Sequence, residues 1–333
     1  MKIDYINEIE NSNVYDVAQV TPITFLSKIS QKYENRILLK REDLQPIFSF
    51  KCRGAYNKIS NLSDDDKSSG IIAASAGNHA QGVALAASKL KISAVIVMPT
   101  TTPSIKIESV KKFGVKVMLY GDSFDEAYEH ALKISDKEER VFIHPFDDPL
   151  VIAGQGTVAK EIVEQTDENP EIFFIPVGGG GLISGMSIYL KKKYPNSKII
   201  GVESEDAPTL YTSMKNGKPT TLNQVGLFVD GCAVKRIGNE TFKISSKYVD
   251  DVVLVSIDET CAAIKDIYED TRIMSEPAGA LSVAGMKKFI LENNIKDKNI
   301  LVVNSGANLN FDRLRHVTER AEVGEGKELL LSV

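Results

Sequence analysis

The sequence predicts an α/β protein with two open, twisted, mostly parallel sheets flanked by helices. Short apolar runs rich in Val, Ile and Phe alternate with longer helix-like stretches over most of the chain. Two of the turns leading from a strand into a helix are crowded with Gly, Ser and Asn. The length of 333 residues suits about two domains at ~150 residues each.

The elements follow in order. A strand-like run precedes Ser49-Phe50-Lys51-Cys52-Arg53-Gly54-Ala55, which opens a helix. Ser49 is placed to cap that helix, its hydroxyl accepting a hydrogen bond from a first-turn amide. Strands are expected over 71–74, 93–98, 115–119 and 141–143, with helices near 79–90, from about 104, and over about 123–134. A second series has a helix near 152–164, a strand over 172–177, a glycine loop and a helix near 182–193. Strands at 198–203, 252–255 and 299–303 and helices near 258–270 and 278–291 complete it. Residues before 67 have too few elements to stand alone and are expected to pack on the later series. The division is therefore a small domain of 67–147 and a large one of 1–66 plus 148–333, with a cleft between them.

Composition narrows the function. Hydrophobic residues at 43% and charged residues at 26% are those of an ordinary globular chain. The net charge of −5, from 40 basic and 45 acidic residues, comes with no basic block or aromatic-interleaved stripe for nucleic acid. No apolar run approaches the ~18 residues of a membrane span. The first eight residues carry acids, Asp4 and Glu8, where a signal peptide is apolar, which predicts a cytoplasmic protein. Cys52, Cys232 and Cys261 are too few and too scattered for a disulfide framework or a zinc site.

Lys51 carries the most information. It and Arg53 fall in a helix first turn, where the dipole disfavours cations by roughly 0.3–1 kcal/mol each. A solvated first-turn lysine is the bland explanation. The placement is useful if Lys51 must shed its proton readily, as a lysine that condenses with a carbonyl does.

Gly178-Gly179-Gly180-Gly181 lies between a strand and a helix. Glycines let a ligand approach the backbone, and amides at a helix N-terminus suit a phosphate. A dinucleotide site is the rival, with Glu203 at the end of the next strand in the place of a ribose-binding acid. The spacing G-x-G-x-x-G fails, however, because Ile183 or Ser184 falls at its last position, and Gly181-Leu182-Ile183 is not Gly-Lys-Ser/Thr. A lone phosphate fits.

Ser75-Ala76-Gly77-Asn78-His79-Ala80-Gln81-Gly82 is a second strand-to-helix turn, able to hold a carboxylate on its amides and a ring hydroxyl on Asn78. Alternatively, Ser75 or Asn78 caps the helix and His79 is solvated. Ser305, in Asn304-Ser305-Gly306-Ala307-Asn308, follows a strand and is placed to face a ligand beyond its carboxyl end. Glu276 precedes Pro277 and is either a ligand-facing acid or a residue that merely leads into a helix.

Together these segments resemble the fold-type II pyridoxal-phosphate enzymes, and within them the threonine dehydratases, over essentially the whole chain. Gly226-Leu227-Phe228-Val229-Asp230-Gly231 and the stretch 269–288 are similar to the biosynthetic branch. The resemblance implies that Lys51 carries pyridoxal 5'-phosphate covalently and that Asn78 bonds its ring hydroxyl. It further implies that Gly178 to Gly181 with Leu182 hold the phosphate and that Ser305 faces the pyridine nitrogen. Ser75 and His79, with Asn78, would hold the substrate carboxylate. The implied reaction is deamination of L-threonine to 2-oxobutanoate and ammonia by loss of water, and of L-serine to pyruvate, the first step of isoleucine biosynthesis.

Three departures refine the expectation. Related serine racemases carry a serine where this chain has Ala76, so elimination is expected without efficient racemisation. Their divalent-cation site matches at Glu203 and Ala207 but meets Thr209 in place of a carboxylate, so no metal site is expected. The stretch 319–326 looks like the junction before a regulatory domain, and 327–333 like that domain's first strand. The resemblance thus implies a catalytic portion without isoleucine feedback, whose apolar edge favours a homo-oligomer, dimer or tetramer. The alternatives are a serine dehydratase or racemase of the same fold, a nucleotide-dependent oxidoreductase using the Gly178 loop and Glu203, and a non-catalytic ligand sensor.

Overall fold

The computed structural model describes residues 3–326. The strand expected at 327–333 lies outside the described residues. The strands are β1 (Ile23–Phe25), β2 (Arg36–Arg41), β3 (Ile71–Ala74), β4 (Ala94–Met98), β5 (Lys116–Leu119), β6 (Val141–Phe142), β7 (Ile172–Pro176), β8 (Lys198–Ser204), β9 (Asp251–Val255) and β10 (Asn299–Asn304). The helices up to the middle of the chain are α1 (Tyr5–Glu10), α2 (Ser27–Tyr33), α3 (Lys51–Ser60), α4 (Asp64–Ser69), α5 (Asn78–Leu90), α6 (Ser104–Lys111) and α7 (Phe124–Glu138). Those that follow are α8 (Pro149–Gln165), α9 (Gly181–Lys193), α10 (Thr209–Asn216), α11 (Asn239–Tyr248), α12 (Ile257–Thr271), α13 (Pro277–Asn293) and α14 (Leu314–Gly324).

A six-stranded sheet has the order β1-β2-β10-β7-β8-β9, parallel throughout except for β1 against β2. A four-stranded parallel sheet has the order β5-β4-β3-β6. The central strands read as continuous apolar runs because helices cover both faces of a parallel sheet. In β7 the period-two alternation sends Phe173 and Ile175 to a core with α8 and α9, and Ile172 and Phe174 to one with α12 and α13.

The segment before residue 67 joins the six-stranded sheet through β1 and β2, and α3 packs both on α8 and on the four-stranded sheet. Ala55, Tyr56 and Ile59 pack in the core of the four-stranded sheet. Close approaches clamp α3 on two sides. A Cβ on Gly82 of α5 would lie 2.8 Å from the Lys51 carbonyl oxygen, and one on Gly154 of α8 would lie 2.7 Å from the Gly54 Cα.

Ser49 does not cap α3. Phe50 occupies the cap position, and the buried Ser49 hydroxyl has no hydrogen-bond partner. The cause is tertiary: Ser49 is drawn into an antiparallel bridge with Gly306, so the chain turns into the helix one residue later.

Arg53 points away from solvent into a fully buried ionic cluster. It meets Glu42 at 2.8 Å and Glu161 at 2.5 Å, and Lys40 meets Glu161 at 2.6 Å. Two cations and two carboxylates offset one another there. That pairing outweighs the unfavourable dipole at the first turn of α3.

Candidate active site

The loops that follow β3, β7 and β10 converge on the start of α3. Lys51 is the first residue of that helix and is partly buried. Its Nζ donates to the Pro145 carbonyl at 3.1 Å and lies 5.3 Å from the Phe50 ring centroid. Burial pulls its ammonium down to about 8, and the nearby Cys232 and Glu276 oppose this only in part. A lysine with this pKa is a nucleophile near neutral pH.

The glycine loop is shaped by what surrounds it. A Cβ on Gly179 would sit 2.2 Å from the Phe146 ring, and one on Gly178 would sit 3.0 Å from the Cys232 Cα. Gly180 has φ +91°, the left-handed region glycine adopts without strain, and its Cβ would meet Thr241 at 2.9 Å. The loop's carbonyls are tied back: Thr209 Oγ1 donates to Gly178, Thr241 Oγ1 to Gly179 and the Ser184 amide to Gly180. Among the described residues no acceptor meets the amides of Gly178 to Leu182.

The second loop differs from expectation in detail. Neither Ser75 nor Asn78 caps α5: Gly77 takes the cap position and Asn78 is the first helical residue. The Ser75 hydroxyl instead turns inward to accept from the Gly77 amide at 3.2 Å. Asn78 donates to Glu276 Oε1 at 2.7 Å and accepts from Asn308 Nδ2 at 2.6 Å. His79 is buried rather than solvated, with Nε2 bonded to the Ile143 carbonyl at 2.9 Å. Burial first, and then Lys51, depress its imidazole to about 3, so it stays neutral. Its side-chain Nε2 is thus committed, while the amides of Asn78, His79 and Ala80 remain open at the head of α5.

Ser305 is buried, and its hydroxyl donates to the Ala278 carbonyl at 3.2 Å while its own carbonyl accepts from the Phe50 amide. Glu203 is turned to a local task. Its carboxylate accepts from Thr209 Oγ1 and from the amides of Leu210 and Tyr211, at the head of α10. Among the described residues no cluster of three or more His, Cys, Asp or Glu converges.

Sequence reasoning missed the segment 144–148. Pro145 holds Lys51, Phe146 roofs the glycine loop, and Asp147 accepts from the amides of Asn239, Glu240 and Thr241 at the start of α11. Only Asp148-Pro149, a cap followed by a first-turn proline, carried a local signal, and that signal concerns α8 alone.

These features fit pyridoxal phosphate. A neutralisable lysine faces the site, and five backbone amides stand without acceptors around a loop that excludes side chains. The family comparison agrees: residues 14–306 match the model of the pyridoxal-phosphate dependent enzymes, and the chain belongs to that family. Its cofactor is pyridoxal phosphate, and its fold is that of the fold-type II members.

Within the family the chain is similar to the biosynthetic L-threonine dehydratase IlvA of Pasteurella multocida, 53% identical over 330 residues, covering 99% of this chain and 64% of that protein. It is also 53% identical over 336 residues to the mitochondrial threonine dehydratase of Saccharomyces cerevisiae, covering 99% of this chain and 58% of that protein. The chain thus spans less than two thirds of the length of these curated relatives. The processed form of threonine deaminase isoform 2 from Solanum lycopersicum superposes with a TM-score of 0.93 at 48% identity, covering 95% of this chain and 92% of that one. Serine racemase from Dictyostelium discoideum superposes at 0.84 with 30% identity, covering 92% and 99% respectively.

Proposed function

We propose that the protein is a threonine ammonia-lyase, converting L-threonine to 2-oxobutanoate and ammonia, and L-serine to pyruvate, in the cytoplasm as the first step of isoleucine biosynthesis. The observation that carries this reading is the Lys51 amine, with its pKa lowered to about 8, beside open amides on two glycine-bearing loops. The roughly 50% identity to proteins named threonine dehydratases supports the substrate. We further read the site as the cleft between a small domain, 67–147, and a large one, 1–66 plus 148–333, in a homo-oligomeric enzyme. No described helix is long and apolar enough to cross a membrane.

When bound, pyridoxal phosphate supplies an electron sink that stabilises negative charge at the substrate α-carbon. Gly178, Gly179, Gly180, Gly181 and Leu182 would hold its phosphate, Asn78 its ring hydroxyl and Ser305 its pyridine nitrogen. Ser75 and the first-turn amides of Asn78 and His79 would hold the substrate carboxylate. The Lys51 amine takes the α-proton as general base. The Lys51 ammonium so formed would return that proton to the β-hydroxyl, which leaves as water, and the enamine left behind tautomerises and adds water to release 2-oxobutanoate and ammonia. Ala76 offers no proton donor on the opposite face, which favours elimination over racemisation.

The test is release of 2-oxobutanoate from L-threonine by the cofactor-loaded protein, with Lys51→Ala in parallel. Release that vanishes in the variant supports the reading. Release of pyruvate from serine alone would move the activity to a serine dehydratase, and retained activity in Lys51→Ala would overturn it.

A further inference from the structure

We propose that Glu276 and Asn308 are positioning residues for Asn78, holding its carboxamide in one orientation and tying α5 to α13 across the cleft. The inference rests on the functional reading above for what Asn78 touches, but its geometry stands alone. Asn308 uses both hydrogens of one amide, donating to the Ile47 carbonyl at 2.8 Å and to Asn78 Oδ1 at 2.6 Å. That fixes which end of the Asn78 carboxamide is oxygen. Glu276 Oε1 then accepts one Asn78 Nδ2 hydrogen at 2.7 Å, leaving the other for a ligand.

Glu276 is placed for this task, its carboxyl lying between the Asn78 carboxamide and the Asn308 backbone amide. It stands at the cap position of α13, where a carboxylate usually accepts a first-turn amide, yet it makes no cap bond. A side chain on Gly306 would place its Cβ 2.3 Å from Glu276 Oε1, so the loop after β10 leaves room for the carboxyl. The group is 3% exposed and forms no ion pair among the described residues. An unpaired buried acid is costly, and a purely structural position would carry an amide or an apolar group.

The surrounding charges are Asp230 and Lys106, paired with each other at 2.6 Å, together with Lys51 and Cys232. Burial first, and then Asp230, push the Glu276 carboxyl up to about 7. Oε1 accepts from Asn78 in either protonation state, and more strongly once ionised. The tie therefore tightens as pH rises through about 7.

The experiment compares wild type with Glu276→Leu, Glu276→Gln and Asn308→Ala. It reads pyridoxal-phosphate affinity by absorbance titration and hydrogen exchange at 77–81 with and without cofactor. Glu276→Leu is expected to weaken cofactor binding roughly tenfold and to speed exchange at the head of α5. Glu276→Gln, which keeps an acceptor oxygen, should restore most of both and flatten the pH dependence of affinity near 7. A Glu276→Leu variant with wild-type affinity and exchange, or a Glu276→Gln variant as impaired as Leu, overturns the proposal. Should Glu276→Leu fail to fold, Asn308→Ala decides by the same two readouts. Were wild type to bind no pyridoxal phosphate, the functional reading would fall, and exchange in the cofactor-free chain would still decide whether the tie exists.

Discussion

Lys51 Nζ is held by the carbonyl oxygen of Pro145 at 3.1 Å, across 94 positions of sequence. The neighbours of Pro145 serve the same site. Phe146 closes over Gly179, and the His144 Nδ1 accepts from the amides of Phe146 and Asp147, which sets the bend of the segment. A short stretch between the two sheets thus aims the lysine and roofs the phosphate-sized loop together.

The Lys51 ammonium has a folded pKa of about 8 against an ordinary 10.5, lowered by burial. Its neutral form grows in as pH rises through 8, so association of pyridoxal phosphate with cofactor-free protein should accelerate over pH 7–9. A depressed lysine pKa costs stability below 8, and that cost fades between 8 and 10.5. Cofactor-free Lys51→Met should accordingly melt higher than wild type at pH 7, by roughly 2–4 °C, with the gain shrinking above pH 8. Calorimetry showing a gain that grows with pH would contradict the burial of this amine.

Gly179→Ala should weaken cofactor binding and cost about 1–3 kcal/mol of stability, because the new methyl lands in the Phe146 ring. Adding Phe146→Ala should recover part of the stability. Denaturant unfolding of the two single variants and the double variant measures the coupling, and strict additivity would exclude the contact.

Arg53→Met leaves Glu42 without its guanidinium partner and Glu161 with Lys40 alone, inside a region of zero exposure. Removing one member of such a buried cluster costs about 3–5 kcal/mol. Urea unfolding should show that loss, and a loss below about 1 kcal/mol would mean water reaches the cluster.

His79 should not titrate in the working range, since burial holds its imidazole near 3. NMR of its ring should show no midpoint between pH 4.5 and 8.5, and the rate profile should lack a limb from it. A midpoint near 6.5 would place the ring in water.

The fold was legible where the pattern was strong. The runs at β7, β8 and β10 and the long helices α12 and α13 announce themselves through apolar continuity and length. By contrast α10, α11 and α14 went unread; each is a short helix of mixed composition, and α10 and α11 start after Pro208 and Gly238 with no side-chain cap to announce them. The candidate site was legible where chemistry is local: a lysine at a helix head, four glycines after a strand, a serine after another strand. Glu276 was ambiguous because its role depends on Asn78, 198 positions away.

By itself, the sequence determined the alternation of strands and helices, the glycine loop and the lysine. Each of these is encoded within a few neighbouring residues, through backbone freedom and hydrophobic period. Tertiary structure alone decided that Ser49 would lose its cap to a bridge with Gly306, that Arg53 would turn into a buried ionic cluster, and that His79 would stay neutral. It also brought Pro145, Phe146, Glu276 and Asn308 to the site. Those outcomes depend on desolvation and on hydrogen bonds between distant segments, and both arise only when segments far apart in sequence pack together.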